Sequence, residues 1–530
     1  MSSEAARDVI DADREAMARR GLRLAWWARQ QPDARAIVTP DGSGDRTYAE
    51  LNAHSNQVVR ALRRRGLRVG DAVALACPNR AEFAEVVEAT LRAGFRLTPI
   101  NWHLTGDEAA YIVADCQAKA LVADAAVGPM AVGAADGAPG CDVRLSIGGA
   151  IDGFEPLAAA MAAESGADID DPTPGSNMLY TSGTTGRPKG VHRPYDPTAD
   201  TAPVVNLYLY DETGGDVHLC TGPLYHAAPL AFSLTVPLAF GATVVLMEQW
   251  DAATALRLIE EHGVTHTHMV ATMFHRLLSL PPAVRAAADV SSLCHVLHGA
   301  APCPVPVKQA LMDWWGPIVW EYYAATEGVG CFASPQTWLS RPGTVGRPVP
   351  DDQVFVGAED GVPLPPGEVG LVYIKAPATG RFAYFGDADK TASSYRGDHF
   401  TLGDVGYMDA DGYLFLTDRS ADLIISGGVN IYPAEVDAVL LAHPAVGDAA
   451  TIGVPDEEWG EQVLSVVELQ PGVDPSAALA AELIAFCRDR LAHFKCPRAV
   501  DFTAALPRQD NGKLYKRRLR EQYAARPLGR

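Results

Sequence analysis

The chain has 530 residues, with 44 lysines and arginines against 65 aspartates and glutamates, a net charge of −21. Hydrophobic residues make up 48% and charged residues 21%, the balance of a globular protein with a large buried core, which excludes a disordered chain, a collagen and a disulfide scaffold. The acidic balance argues against non-specific binding to nucleic acid or to an anionic membrane, since both need a positive field, while a basic pocket for an anionic ligand stays open.

In chain order, the first residues alternate charge without an apolar core, so no secretion signal is read. Tyr48, Leu51, Ser55, Val58, Val59 and Leu62 fall at helical spacing. Asp71 to Cys77 is strand-like, and Asn79 then reads as the cap of a helix running to about Leu91 and closed by Gly94. This alternation predicts an α/β fold whose mostly parallel sheets carry helices on their faces. Ala131 to Gly140, rich in alanine and glycine, reads as a surface loop, and Gly166 to Ser176 as an exposed acidic approach. Ala227 to Met247 is apolar and long enough to span a bilayer, but Pro229, Pro237, Gly241 and a closing β-like run favour a buried helix followed by a buried strand. His266 and His268 alternate in a strand-like run after His262, with no cysteine or acidic cluster to complete a zinc site.

Asp411-Gly412 signals a turn into another strand. Beyond it, helices over Ala434 to Ala442 and Ala477 to Ala492, with strands over Val446 to Val454 and Gln462 to Leu469, predict a small mobile α+β domain. The expected division is a large layered N-terminal domain over 1–417, a hinge at 418–419 and the C-terminal domain over 420–530. The nine cysteines are scattered without a CxxC pair, which suits a reducing cytoplasm.

The strongest local signal is Tyr180-Thr-Ser-Gly-Thr-Thr-Gly-Arg-Pro-Lys-Gly190. Glycines let the backbone approach a ligand closely, and exposed N–H groups and hydroxyls can wrap phosphate oxygens with a lysine as counter-charge. The spacing is not that of a Walker A loop, because Pro188 stands where its second glycine would fall.

This string resembles the phosphate-binding signature of the adenylate-forming superfamily, which contains acyl-CoA synthetases, adenylation domains of peptide synthetases and firefly-type luciferases. Further segments resemble that family's motifs in its order. Pro223 to Leu230 is similar to the segment with an aromatic residue beside the acyl pocket, His298 to Pro302 to the adenine-site loop, and Glu321 to Gly328 to the adenine-stacking and magnesium motif. Thr401 to Asp404 resembles the ribose motif, Asp418-Arg419 the hinge, Ile424 to Pro433 the loop of the second half-reaction, and Leu506 to Lys513 the segment with the catalytic lysine.

The resemblance implies that ATP and a carboxylate give acyl-AMP and pyrophosphate, and that a second nucleophile then attacks acyl-AMP. Two anions must meet at the α-phosphate, so cations and preorganised donors have to converge there. By resemblance Thr181, Ser182, Gly183, Thr184, Thr185, Gly186 and Lys189 serve the phosphates, and Gly299, Ala300, Ala301, Pro302, Glu321, Tyr322 and Tyr323 the adenine, while Asp404, Leu416 and Arg419 lie on the ribose side. Lys513 is the expected essential lysine, Thr326 reaches the α-phosphate, Glu327 is the expected Mg²⁺ ligand, and His226 borders and gates the acyl tunnel. The acyl pocket takes His226, Phe232, Val270, His298, Gly299, Ala324 and Gly328; Ser426, Gly427 and Gly428 serve the second step, with Asp418 as pivot. On composition alone, plainer readings stay open: Lys513 as a solvated lysine, Tyr323 and His226 as packed core rings, Asp404 and Arg419 as a surface ion pair.

Ala324 stands where many relatives carry glycine, and the 196–216 stretch is insertion-like. The form of the Ile424 to Pro433 loop and the absence of a following carrier domain favour coenzyme A as acceptor, with a separate carrier protein as the alternative. The pocket segments hold Phe232, Met269, Val270, Met273, Ala324 and Ala325 and no partner for an ammonium group, which predicts a lipophilic acid. Small residues such as Ala227, Ala228 and Ala271 favour a bulky polycyclic terpenoid or steroid acid, ahead of a linear fatty acid or an aryl acid. No nucleic-acid partner and no membrane span are expected; a homodimer rests on analogy.

Overall fold

The computed structural model describes residues 13–181, 188–194, 209–211, 214–419, 422–426, 429–456, 459–509 and 512–524. They fall into two compact units, one of Met1–Met269, Leu280–Leu297 and Pro377–Ser393, the other of Val270–Ser279, His298–Ala376 and Ser394–Arg530. The fold is α/β, with mostly parallel sheets in the first unit and an α+β C-terminal portion within the second. Position 418 lies inside the second unit.

The main sheet of the first unit runs in the order Ala383–Tyr384, Lys189–His192, Ser176–Thr181, Arg96–Pro99, Ala72–Ala76, Ala118–Asp124, Val143–Ile147, Glu155–Pro156. It is parallel from Ser176–Thr181 onward and antiparallel at the other end. Successive side chains of a strand point to opposite faces, so a sheet covered on both sides needs apolar residues throughout. In Ala72–Ala76, Val73 and Leu75 enter a core with Leu51, Val58, Phe83 and Val87 from helices Tyr48–Arg64 and Ala81–Ala93. Ala72, Ala74 and Ala76 enter the opposite core with Ala109, Val113, Ala131 and Ala134 from helices Gly106–Asp115 and Gly128–Asp136. Thr47 and Glu50 form a capping box that starts the first of these helices, and Gly94, at φ 72°, closes the second as expected.

Three local expectations are corrected. Asn79 does not cap the helix, which starts after Arg80; its amide is used elsewhere, as described below. Ala131 to Asp136 is not a surface loop, because Gly128–Asp136 is helical and Ala131, Ala134 and Ala135 are fully buried, whereas Gly137, Pro139 and Gly140 beyond the helix are exposed as expected. A Cβ placed on Gly133 would lie 3.0 Å from Gly106 Cα, so the small residues that mimic a loop are there to let two backbones touch. Within 166–176, Ile169 is buried and Asp168 accepts hydrogen bonds from Arg29, Asn52 and Asn56 at 2.7, 2.9 and 3.2 Å.

A second sheet in this unit sets His266–Met269, Val217–Cys220, Thr243–Leu246 and Arg35–Val38 side by side in parallel, with Arg46–Thr47 antiparallel to the last. The 227–247 stretch folds as short helical turns, Ala227–Leu230, Ala231–Thr235 and Val236–Ala239, ahead of the strand Thr243–Leu246. Among the described residues no helix is long and apolar enough to cross a membrane.

In the second unit Val319–Ala325 pairs antiparallel with Gly328–Ala333, which pairs with Arg347–Pro348. A five-stranded sheet follows, Val354–Gly357, Gly370–Lys375, His399–Met408 and Tyr395–Arg396, with Leu414–Arg419 also on His399–Met408 across the expected turn at Gly412. The last sheet is Val429–Ile431, Ile424–Ser426, Gly460–Leu469 and Val446–Asp456, with Ala499–Thr503 parallel to Gly460–Leu469. Helices Pro433–Leu441 and Ala477–Arg488 bury Val436, Leu440, Leu483 and Cys487 in its core. All nine cysteines are free thiols.

Candidate active site

The segment Glu321 to Gly328 is the end of one strand, a two-residue connection and the start of the next, with Ala325 opposite Gly328. Thr326 and Glu327 therefore stand at a hairpin tip, and Glu327 is buried there. A register shift between Tyr323 and Ala324 re-aims the side chains just before the tip. The Tyr323 ring lies over Gly330, where a Cβ would meet Cδ1 at 2.7 Å. Its hydroxyl donates to Asp404 Oδ2 at 2.7 Å, and both residues are buried. In the neighbouring hairpin Asp404 sits opposite Arg419, Val405 opposite Asp418 and Gly406 opposite Leu416.

Glu321 is the third residue of the same strand, Val319–Ala325, and its carboxylate is enclosed, 2.7 Å from Lys308 Nζ and 3.3 Å from His298 Nε2, all three residues being buried. Burial pushes the Glu321 carboxyl up, but His298 and Lys308 outweigh it and hold it at about 2. Burial, then the Lys308 charge, push the His298 imidazole down, against the opposing pull of Glu321. After His298, a Cβ on Gly299 would meet Tyr322 O at 2.6 Å, and Ala300 takes φ +66°, a conformation rare outside glycine. Ala300 and Pro302 are exposed and Ala301 is half-buried. The constraint on this short loop thus comes from the packing of its first two residues.

Lys513 sits on a tight turn. Arg508 and Leu514 pair across it, Gln509 N donates to Lys513 O at 2.9 Å, and Gly512 N to Gln509 O at 2.8 Å. Gly512, at φ +78°, touches the start of helix Ala271–Leu278 so closely that a Cβ would lie 2.5 Å from Thr272 Oγ1 and 2.9 Å from Val270 Cγ2. The lysine turn is therefore seated against Val270, a residue expected in the acyl pocket. Phe274, one turn on, meets the His298 ring edge-on at 5.2 Å. Ser426 ends its strand opposite Val429, while Gly427 and Gly428 lie outside the described residues.

In the first unit, Ser182, Gly183, Thr184, Thr185 and Gly186 lie outside the described residues, as does most of the 196–216 stretch. Thr181 and Lys189 pair across the two strands that flank the phosphate-loop segment. Lys189 Nζ is 2.7 Å from Asp387 Oδ2, and this contact lowers the Asp387 carboxyl. His226 occupies the N-cap position of Ala227–Leu230 with its ring 4.4 Å from that of Tyr225. Asn79 anchors the chain just before it, donating to Gly222 O and Met247 O and accepting from Leu224 N, each at 2.9 Å. The Phe232 ring lies 5.6 Å from His268. His266 is buried against Tyr210 and His295, with ring centroids 4.2 and 5.5 Å away. Among the described residues no three His, Cys, Asp or Glu are grouped to hold a metal ion.

Sequence reasoning missed Asn79 in this role, and also Asp387 and Lys308. None lies in a motif-like string, and each acquires its meaning from a partner distant in the chain.

The profile of the AMP-binding enzyme family matches residues 24–382, and that of the AMP-binding enzyme C-terminal domain residues 435–513. The chain is 33% identical to a 2-succinylbenzoate–CoA ligase of Geobacillus kaustophilus (strain HTA426), over 93% of this chain and 97% of that one. It is 33% identical to a fatty acid–[acyl-carrier-protein] ligase of Streptomyces coeruleorubidus over 90% and 91%, and 32% identical to a long-chain-fatty-acid–CoA ligase of Mycobacterium tuberculosis over 95% and 99%. The crystal structure of an anthranilate CoA ligase in complex with anthranoyl-AMP matches with a TM-score of 0.84 at 25% identity, covering 95% of this chain and 96% of that one. The chain belongs to the AMP-binding enzyme family of adenylate-forming ligases, as an AMP-forming enzyme of the acyl-CoA synthetase type.

Proposed function

We propose that the protein is an ATP-dependent acyl-CoA ligase for a lipophilic carboxylic acid. The observation that carries this reading is the seat of Gly512 against Val270 and Thr272, which supports a role for the adjoining Lys513 beside the expected acid wall. In the first step the Lys513 ammonium bridges the acid's carboxylate and an α-phosphate oxygen, offsetting the repulsion between them. Tyr323 offers its ring to adenine, and Asp404 with Arg419 takes the ribose hydroxyls. Thr181 to Gly186 and Lys189 serve the departing pyrophosphate. Glu327 is a hard oxygen donor at the hairpin tip and fits Mg²⁺, which when bound would reduce the negative charge of the phosphates, and the Thr326 hydroxyl beside it donates to the α-phosphate. His226 gates the acid's entry, and the Ser426 to Gly428 loop serves thioester formation after rotation about Asp418. The gap between the two family matches, 382 to 435, contains that pivot and supports it.

The small side chains of Ala227, Ala228, Ala271, Ala324 and Ala325 favour a bulky polycyclic acid over a linear or aryl one. The relative acting on an acyl carrier protein supports a second reading, in which a separate carrier protein replaces coenzyme A. A cytoplasmic location and a homodimer complete the reading by analogy.

The test is a mass-spectrometric product screen with ATP, Mg²⁺ and dodecanoic, cinnamic, cholic and abietic acids, each with and without CoA. AMP and a thioester formed only with acid and CoA together, and most with cholic or abietic acid, are the expected result. Acyl-AMP without a thioester moves the acceptor to a carrier protein, and turnover confined to dodecanoic or cinnamic acid overturns the polycyclic assignment.

A further inference from the structure

We propose that Arg508, held by Asp448, is the positioning residue that presents Lys513 for the adenylation step. The inference rests on the role of Lys513 proposed above. Lysine is a point charge on a flexible four-carbon stem, so its aim depends on how firmly its backbone is held. Here a guanidinium helps to hold that backbone. Arg508 Nε and Nη2 bind the two carboxylate oxygens of Asp448 at 2.5 and 2.7 Å, and the third nitrogen, Nη1, donates to Gly512 O at 2.8 Å. The fork onto Asp448 fixes the guanidinium plane, and that plane aims Nη1 at the carbonyl of the residue before Lys513.

Only 18% of the Arg508 side chain and 16% of Asp448's are exposed, so solvent competes weakly for these bonds. Burial opposes the Arg508 charge, and the Asp448 carboxylate more than offsets it. Asp448 stands on strand Val446–Asp456, which pairs along its length with Gly460–Leu469, so the turn is fastened to an element of the last sheet rather than to another loop. Tyr515 N closes the base of the turn on Pro507 O at 2.8 Å. Two separate contacts therefore hold the backbone that carries Lys513. The fastening joins the turn to its own sheet, and the seat of Gly512 joins it to Val270 and Thr272. Because Lys513 acts in the first half-reaction, loosening the fastening slows that step and spares thioester formation.

Arg508→Lys and Asp448→Asn in the full chain test this, with Lys513→Ala alongside. Three quantities are read: pyrophosphate release with ATP and whichever of the four acids the unaltered enzyme turns over, thioester formation from that acid's pre-made adenylate and CoA, and amide hydrogen exchange across 508–514. Both variants are expected to slow pyrophosphate release on the order of 10²-fold, the effect of a small misplacement of a reacting group, while thioester formation changes less than about threefold. Exchange rises across 508–514 and not in the rest of the last sheet. Equal loss of both half-reactions, or unchanged pyrophosphate release in a variant whose turn has lost protection, overturns the proposal. Should Lys513→Ala release pyrophosphate at the unaltered rate, the role of Lys513 fails instead, and the exchange data still report the fastening.

Discussion

Lys308 is fully buried and spends its charge on Glu321, at the base of the strand that leads to Tyr323, Thr326 and Glu327. Removing one partner of a buried ion pair leaves an uncompensated charge and costs about 3–5 kcal/mol. Lys308→Met is therefore expected to lower the free energy of urea unfolding by that amount, and a loss below about 1 kcal/mol would show that the pair does not brace the strand. The pair also gives a pH signature. Glu321 is held at about 2 against an ordinary 4.5, a depressed carboxyl, so its contribution is full above pH 4.5 and is lost as pH falls toward 2. Glu321→Gln is expected to flatten the stability–pH curve in that window and to lower it by a constant amount near neutrality, where the pair contributes in full.

At the scale of elements, the crossing of helices Gly106–Asp115 and Gly128–Asp136 depends on two glycines whose backbones nearly touch. Gly133→Val forces side-chain volume into that contact, where a Cβ alone would lie 3.0 Å from Gly106 Cα. Overpacking of this kind costs about 1–3 kcal/mol, and a lowered thermal midpoint in scanning calorimetry is the expected result. An unchanged midpoint would mean that the helices part without cost and that the alanine-rich stretch behaves as the loop its composition resembles. The strand pair around the phosphate-loop segment is tied in the same non-local way, through Lys189 and Asp387.

For the whole molecule, the proposed mechanism has the C-terminal portion present first the Lys513 turn and then the Ser426 loop. Asp418, in strand Leu414–Arg419 opposite Val405, is the proposed pivot. Proline there fixes φ and removes the N–H, which blocks rotation while leaving one arrangement intact. Asp418→Pro is expected to retain single-turnover pyrophosphate release and to lose thioester formation from acyl-AMP. Equal loss of both steps would rule out Asp418 as the pivot.

The amino-acid sequence by itself determined the family, the α/β class and most of the regular elements, because motif strings and the periods of strand and helix are local properties of the chain. Tyr48–Arg64, Ala72–Ala76, Pro433–Leu441 and Gly460–Leu469 all lie where periodicity puts them. Only the tertiary structure decided that an alanine- and glycine-rich stretch is a buried helix, that Asn79 anchors the His226 segment instead of capping a helix, and that Arg508 finds Asp448 sixty positions away. Those outcomes are set by which surfaces meet, and a hydrogen bond or a close backbone contact between distant positions leaves no period in the sequence to read.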